Sequence, residues 1–350
     1  MRKITVNASK KYDVVIKQGA LELVGEYANS VGLCGKACII SDSNVAPIYM
    51  DKVQSSLEEK GFEVCRYIFP AGEESKTADT FVDILNFLAQ KHFTRKDTVF
   101  ALGGGVTGDL AGFSAASYMR GIHFVQIPTS LLAAVDSSVG GKTGIDLKNG
   151  KNLAGAFYQP EIVVFDPEVL TTLPDEYFAD GMAEIIKYAM IRSKGIDKLL
   201  LGNIEENLME IIARCIEIKR DIVSEDEFEG GVRRILNFGH TAGHAIEAAA
   251  NFSISHGRAV AVGMYIVTNA WEKRGLCQKG TCDKLVEMLC KFGLDKECGY
   301  TAEKLTDIAR NDKKSEGDGV HLVVPAALGE CDVIKVSMDE LLQIFREGME

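Results

Sequence analysis

The hydrophobic period of this 350-residue chain changes once along its length, and that change limits the possible architectures more than any other feature. In the first half, short β-branched runs alternate with amphipathic stretches. Ala37 to Ser41, Val64 to Phe69, Thr98 to Leu102, Ile122 to Ile127 and Ile162 to Phe165 read as buried strands, with helical periodicity over Val45 to Lys60 and Ala78 to Lys91. Such alternation predicts a mostly parallel sheet covered on both faces. The pattern shifts near Asp166-Pro167. From about Tyr177 to Asn311 helical period dominates, over Asp180 to Arg192, Glu205 to Val223, Thr241 to Ala250 and Ala259 to Lys273. A strand pair, Gly319 to Val324 and Asp332 to Val336, and a helix from Met338 to Arg346 close the chain. The expected fold is therefore a Rossmann-like α/β N-terminal domain over residues 1–174, followed by a mainly α-helical C-terminal domain over residues 175–350.

Composition removes several classes of function. Hydrophobic residues make up 46% of the chain, yet no apolar run approaches the roughly 18 residues of a membrane-spanning helix. The 39 basic and 50 acidic side chains leave a net charge of −11, which disfavours general binding to nucleic acid or anionic membrane. Any anion this protein handles must meet a local cluster of cations. Nine cysteines, with no Cys-x-x-Cys pair, form neither a disulfide framework nor a zinc knuckle. The N-terminal residues enter strand-like sequence without the apolar block of a signal peptide, so a cytoplasmic setting is expected.

The strand Thr98 to Leu102 runs into Gly103-Gly104-Gly105-Val106-Thr107-Gly108-Asp109, where Gly103, Gly105 and Gly108 satisfy Gly-x-Gly-x-x-Gly between a strand and a small-residue helix. Glycines there let backbone approach a pyrophosphate, and the helix start supplies N–H donors; the lesser alternative is a plain tight turn. The acid expected about 20 residues later is missing, because Pro128-Thr129-Ser130 follows the next strand. Asp42 ends an earlier strand and could reach a ribose, although alone it reads as a helix cap. Gly140-Gly141-Lys142-Thr143 is not a triphosphate-binding loop, since Asp136 occupies the position of that motif's first glycine. Lys142, Lys148 and Lys151 nonetheless lie in a glycine- and hydroxyl-rich stretch suited either to a phosphate or to a solvated loop.

The helical half carries the strongest signal. Three of the six histidines, His240, His244 and His256, fall close together, and His240 and His244, four apart, would share a helix face as metal ligands. Upstream, Glu184 and Lys187 stand three apart in an apolar helix, where buried charges need each other or a ligand. Lys219, Arg233 and Asn237 add a cluster suited to an anion.

With these residues assembled, the chain resembles the 3-dehydroquinate synthase family of sugar-phosphate cyclases over nearly its whole length. The matching stretches are Pro70 to Lys76, Gly103 to Asp109, Tyr118 to Gly121, Pro128 to Asn152, Gly181 to Lys187, Glu229 to His244 and Asp312-Lys313-Lys314. The resemblance implies a dehydroquinate synthase-like fold. It implies NAD against Asp42, Gly72, Glu73, Lys76, Gly104, Gly105, Val106, Asp109, Thr129, Ser130, Lys142, Lys151 and the stretch Val169, Leu170, Thr171, Thr172. It also implies zinc, or cobalt, on Glu184, His240 and His256, which reassigns His244 from the metal to the substrate. Around substrate it sets Asp136, Lys142, Asn152, Lys187, Lys219, Arg233, Asn237, His244, Lys313 and Lys314, with Arg120 reaching a neighbouring site in a homodimer. The implied reaction is that of a lyase of the shikimate pathway, leading to chorismate and the aromatic amino acids. It converts 3-deoxy-D-arabino-heptulosonate 7-phosphate to 3-dehydroquinate and phosphate through transient oxidation, β-elimination, re-reduction, ring opening and aldol closure. The alternatives are another cyclase, such as 2-deoxy-scyllo-inosose synthase, and a polyol dehydrogenase of the same two-domain plan. Arg233, Asn237 and the paired Lys313 and Lys314 favour the carboxylate-bearing substrate, because arginine grips a carboxylate in a planar fork.

Overall fold

A computed structural model describes residues 1–251, 253–312 and 319–350. The expected site residues Lys313 and Lys314 lie outside the described residues. The chain divides into two compact units, Met1–Pro174 with Lys219–Glu227, and Asp175–Ile218 with Phe228–Glu350.

The first unit follows the predicted alternation: β1 (Arg2–Asn7), β2 (Lys11–Ile16), α1 (Val24–Ser30), β3 (Lys36–Asp42), α2 (Ala46–Glu59), β4 (Glu63–Phe69), α3 (Ala78–Gln90), β5 (Thr98–Gly103), α4 (Gly105–Ser117), β6 (His123–Pro128), β7 (Lys142–Leu147), β8 (Gly150–Phe157) and β9 (Ile162–Phe165). Seven strands form one sheet in the order β1-β2-β9-β6-β5-β3-β4. Only β1 runs antiparallel, against β2. Strands β5 and β9 are buried at every residue, as the unbroken apolar runs Val99 to Leu102 and Ile162 to Phe165 require when both faces are covered. A core cluster including Ile40, Val99, Ala101, Leu110, Phe124 and Ile84 locks the sheet to α3 and α4.

The order fixes where a ligand can sit. From β3 the chain passes outward to β4, then returns to β5 on the other side of β3. Strand order reverses there, and crevices at such reversals, outside the carboxyl ends of the strands, are the binding places of open α/β sheets. Asp42 and Gly103 are the last residues of those two strands.

One stretch departs from the open loop considered above. Lys142 to Phe157 is an antiparallel hairpin of β7 and β8, paired from Lys142↔Phe157 to Leu147↔Gly150. Its glycines serve close approach: a side chain on Gly144 would meet the Ala154 carbonyl oxygen at 2.8 Å.

In the second unit, α5 (Asp175–Arg192), α6 (Ile196–Leu201), most of α7 (Ile204–Glu225), α8 (His240–Ala249), α9 (His256–Lys273), α10 (Thr281–Lys291) and α11 (Ala302–Asp312) are followed by the hairpin of β10 (Val320–Ala327) and β11 (Glu330–Val336) and by α12 (Met338–Met349). Every residue of α5 from Ala179 to Ile191 is buried, so its charged members lie inside the unit. No helix among the described residues is long and apolar enough to cross a membrane.

Candidate active site

In the first unit, β5 delivers the chain into the glycine loop and α4 begins at Gly105 with Gly104 as its cap. Two glycines are needed for packing. A side chain on Gly103 would collide with that of Thr107, and one on Gly108 would stand 2.7 Å from Gln126 Oε1. Gly104 and Gly105 differ, because side chains added there would come no nearer than ordinary contact, to the Ser130 and Ser137 hydroxyls at 3.5 and 3.4 Å. Backbone and hydroxyls therefore line the turn at the start of a 13-residue helix, a setting whose N–H donors and dipole suit a phosphate. Asp42 accepts from the backbone N–H groups of Asn44 and Val45 at 2.8 and 3.0 Å, and from the Thr107 hydroxyl at 3.3 Å, while the N-cap of α2 is Val45, which makes no side-chain cap bond. Thr129 donates its N–H to the Gly103 carbonyl at 3.0 Å. Val169 to Thr172 form a turn reached by Tyr49, whose hydroxyl lies 3.3 Å from the Val169 carbonyl and 2.5 Å from Thr172 Oγ1. No motif had pointed to Tyr49.

Beside the loop, buried Lys76 donates to Asp109 Oδ2 at 2.7 Å and Asn152 Oδ1 at 2.5 Å. Burial works to strip the Lys76 proton, but Asp109 and Glu73 outweigh it and hold the ammonium above the usual lysine range. Burial pushes the Asp109 and Glu73 carboxyls up. Lys151 lies 3.8 Å from Glu73, at the edge of this patch. Asn152 takes a left-handed backbone, φ 55°, with its N–H on Asp146 Oδ1 at 2.7 Å. Gly72, φ 120°, turns the chain into the Glu73 to Ser75 turn. Lys219 Nζ binds the carbonyl and carboxylate oxygens of Asp136, each at 2.5 Å. Lys142 opens β7 with an exposed side chain. Arg120 is exposed on a strained turn in which Met119, Arg120 and Gly121 all have positive φ, 49°, 69° and 121°.

The second unit gathers the histidines. Glu184 and Lys187, fully buried on α5, form an ion pair across one turn. His240 is the first residue of α8 and His256 the first of α9. Gly239, φ 79°, and Gly263 allow this approach: a side chain on Gly239 would stand 2.7 Å from the Val260 carbonyl, and one on Gly263 would strike the Gly239 carbonyl. Glu184 Oε1 consequently lies 3.7 Å from His240 Nε2 and 3.4 Å from His256 Nε2. Tetrahedral zinc at about 2.0–2.2 Å from nitrogen and oxygen ligands separates those atoms by roughly 3.3–3.6 Å; the His256 contact lies in that range and the His240 contact about 0.1 Å beyond it, so the three groups suit such an ion with a small adjustment. The i, i+4 pairing of His240 with His244 is not what faces Glu184. His244 is exposed, its ring 5.4 Å from that of His240 and 6.0 Å from that of His256. His244, Glu247 and His256 form a second group of converging ligand atoms that includes a carboxylate sequence reading missed. Its spacing, three residues after His244 on one helix, was the available signal.

Burial pushes His240 down to about 3, with the Glu184 carboxylate opposing. Burial acts the same way on His256, but hydrogen bonds to Glu184 and Glu247 overcome it and push its pKa up to about 10. The two imidazoles are thus pushed in opposite directions, His240 towards the neutral form and His256 towards the charged one. Arg233 is buried nearby in sequence, and Asn237 donates to Glu229 Oε1 at 2.6 Å.

Comparison with known proteins gives these features a context. The solved structure of 2-deoxy-scyllo-inosose synthase complexed with carbaglucose-6-phosphate, NAD+ and Co2+ matches the fold with a TM-score of 0.89 and 26% identity, over 99% of this chain and 100% of that one. The architecture is that of the dehydroquinate synthase-like sugar-phosphate cyclases, a class of enzymes. Residues 66–180 match the 3-dehydroquinate synthase N-terminal family and residues 181–315 its C-terminal counterpart. The chain is 43% identical to the 3-dehydroquinate synthase of Streptococcus suis (strain 05ZYH33), covering 98% of this chain and 99% of the relative, and 44% identical to that of Lactococcus lactis subsp. cremoris (strain MG1363), covering 99% and 100%. The chain belongs to the 3-dehydroquinate synthase family.

Proposed function

We propose that this enzyme converts 3-deoxy-D-arabino-heptulosonate 7-phosphate to 3-dehydroquinate and phosphate, as a carbon-oxygen lyase of the shikimate pathway. The observation that carries the reading is full-length identity of 43–44% to relatives named for that activity, against 26% to the 2-deoxy-scyllo-inosose synthase. NAD, when bound, would take and return a hydride, and zinc or cobalt would polarise a substrate hydroxyl and its ketone. We assign residues 1–174 to NAD binding and residues 175–350 to the metal and substrate.

Glu184, His240 and His256 would hold the metal; the convergence of their ligand atoms within 4.8 Å of one another supports it. Asp42, the backbone at Gly104 and Gly105, and the hydroxyls of Thr129 and Ser130 would hold NAD, supported by their position at the reversal of strand order. Lys187 brings a positive charge, held by Glu184, for oxygen atoms that gain charge as the reaction proceeds. Lys142, Asn152 and His244 offer donors to the phosphate, and Arg233 with Asn237 recognises the carboxylate. Asp136 fixes the Lys219 ammonium, which keeps that cation at a constant position for substrate. Closure of the ring needs chiefly correct positioning of the reacting atoms.

The exposed Arg120, on its strained turn, suits a residue that completes the site of a second copy in a homodimer. Nine free cysteines suit a reducing cytoplasm. The decisive experiment incubates the metal-loaded enzyme with the heptulosonate phosphate and catalytic NAD. Equal release of phosphate and dehydroquinate without net NADH supports the reading; net NADH would indicate a dehydrogenase, and inactivity would move the substrate to another cyclase's.

A further inference from the structure

Both histidines beside Glu184 are oriented in the same way. His240 Nδ1 lies 3.1 Å from the Phe238 carbonyl oxygen, which can only accept, so Nδ1 carries the proton and Nε2 turns its lone pair towards Glu184. His256 places its ring likewise, with a charged acceptor in place of the carbonyl: Nδ1 is 3.3 Å from Glu247 Oε2 while Nε2, the atom a metal would take in exchange for its proton, is 3.4 Å from Glu184 Oε1. Glu247 is 4% exposed, and a buried carboxylate persists only with groups that satisfy it.

The backbone of His256 is fixed separately. Asp180, one turn before Glu184 on α5, accepts the Ser255 hydroxyl at 2.6 Å and the Arg258 N–H at 3.3 Å. Gly257 packs so closely on α5 that a side chain there would meet the Asp180 carbonyl oxygen at 2.6 Å. Asp180 and Gly257 therefore set where α9 begins, which leaves rotation of the His256 ring undetermined. Glu247 removes that freedom.

We propose that Glu247 is a positioning residue: from α8 it holds the Nδ1–H of His256, fixing the ring so that Nε2 is presented beside Glu184 as a metal ligand. The inference rests on the metal reading above. A carboxylate on the far nitrogen also strengthens the near one as a donor, which the neutral Phe238 carbonyl does less well for His240.

The test measures zinc affinity by competition with a chromophoric chelator, at fixed pH, for the parent, Glu247→Gln, Glu247→Ala and His256→Ala, with the thermal midpoint of each metal-free protein. The parent should take up one zinc. Glu247→Ala should bind it about 10–100-fold more weakly, and Glu247→Gln, which keeps an acceptor oxygen without the charge, severalfold more weakly at an unchanged midpoint. The Gln variant keeps the test decisive if the Ala variant fails to fold. Parental affinity in Glu247→Gln would overturn the proposal. So would a parent with two zinc ions of which the Gln variant loses one, since Glu247 would then be a ligand with His244. A parent that takes up neither zinc nor cobalt would instead defeat the metal reading, and this inference with it.

Discussion

His256 Nε2 stands 3.4 Å from Glu184 Oε1, joining the first residue of one helix to the middle of another far earlier in the chain. Hydrogen bonds to Glu184 and Glu247 push the His256 pKa up to about 10, so a metal that takes His256 Nε2 would have to displace its proton. Zinc affinity should therefore rise with pH, about tenfold per unit, across the range below the His256 value of about 10. Competition titrations at pH 6, 7 and 8 check this, and a pH-independent affinity would contradict it. Removal of the metal with a chelator should abolish phosphate release, and added zinc or cobalt should restore it.

The same proton contributes to folding. His256 titrates at about 10 in the fold against 6.5 unperturbed, so its stabilising contribution is complete below pH 6.5 and is lost as pH rises to about 10. Denaturant melts of the metal-free parent and of His256→Asn should differ most near pH 6.5 and converge towards pH 10.

Lys187→Met removes the nearer cation from the buried Glu184 carboxylate and leaves it facing the His256 imidazolium, a loss that should approach but not reach the about 3–5 kcal/mol of a fully broken buried pair. A bound dication supplies the missing positive charge. The loss of thermal stability should thus be large in the metal-free variant and smaller after zinc is added, with turnover low in both. Equal losses with and without zinc would argue against a metal beside Glu184.

Two glycines of the loop between β5 and α4 should separate packing from the proposed binding of NAD. Gly108→Ala drives a methyl group to 2.7 Å from Gln126 Oε1 and should destabilise the fold by about 1–3 kcal/mol. Gly105→Ala has room, with Ser137 Oγ at 3.4 Å, and should leave the melting midpoint nearly unchanged while weakening NAD binding at least tenfold. Calorimetric titration with NAD reads the second effect.

Arg120→Ala should fold normally and turn over poorly. Mixing it with Lys187→Ala should restore part of the activity if each site borrows Arg120 from a second copy. Absence of any restoration in mixed, re-equilibrated samples would count against the shared site.

Much of the architecture was legible because it depends on local period. Strands such as Thr98 to Leu102 and Ile162 to Phe165 announce themselves as unbroken apolar runs, and α5, α7 and α9 by helical spacing. The stretch from Lys142 to Phe157 was harder, because its glycines look alike whether they loosen a loop or let two strands close together. Only the pairing of Gly144 against Ala154 and Gly155 distinguishes the two.

By itself the sequence determined which chemical groups are present: a glycine turn between strand and helix, a carboxylate and an ammonium in an apolar helix, and three histidines within seventeen residues. Spacing along one helix can show which side chains share a face, and so it paired His240 with His244. Tertiary structure decided that Glu184 faces His240 and His256, and that Glu247 stands behind His256. The reason is steric. Gly239, Gly257 and Gly263 lack the side chains that would hold α5, α8 and α9 apart, and only their close packing brings residues from three helices within reach of one ion.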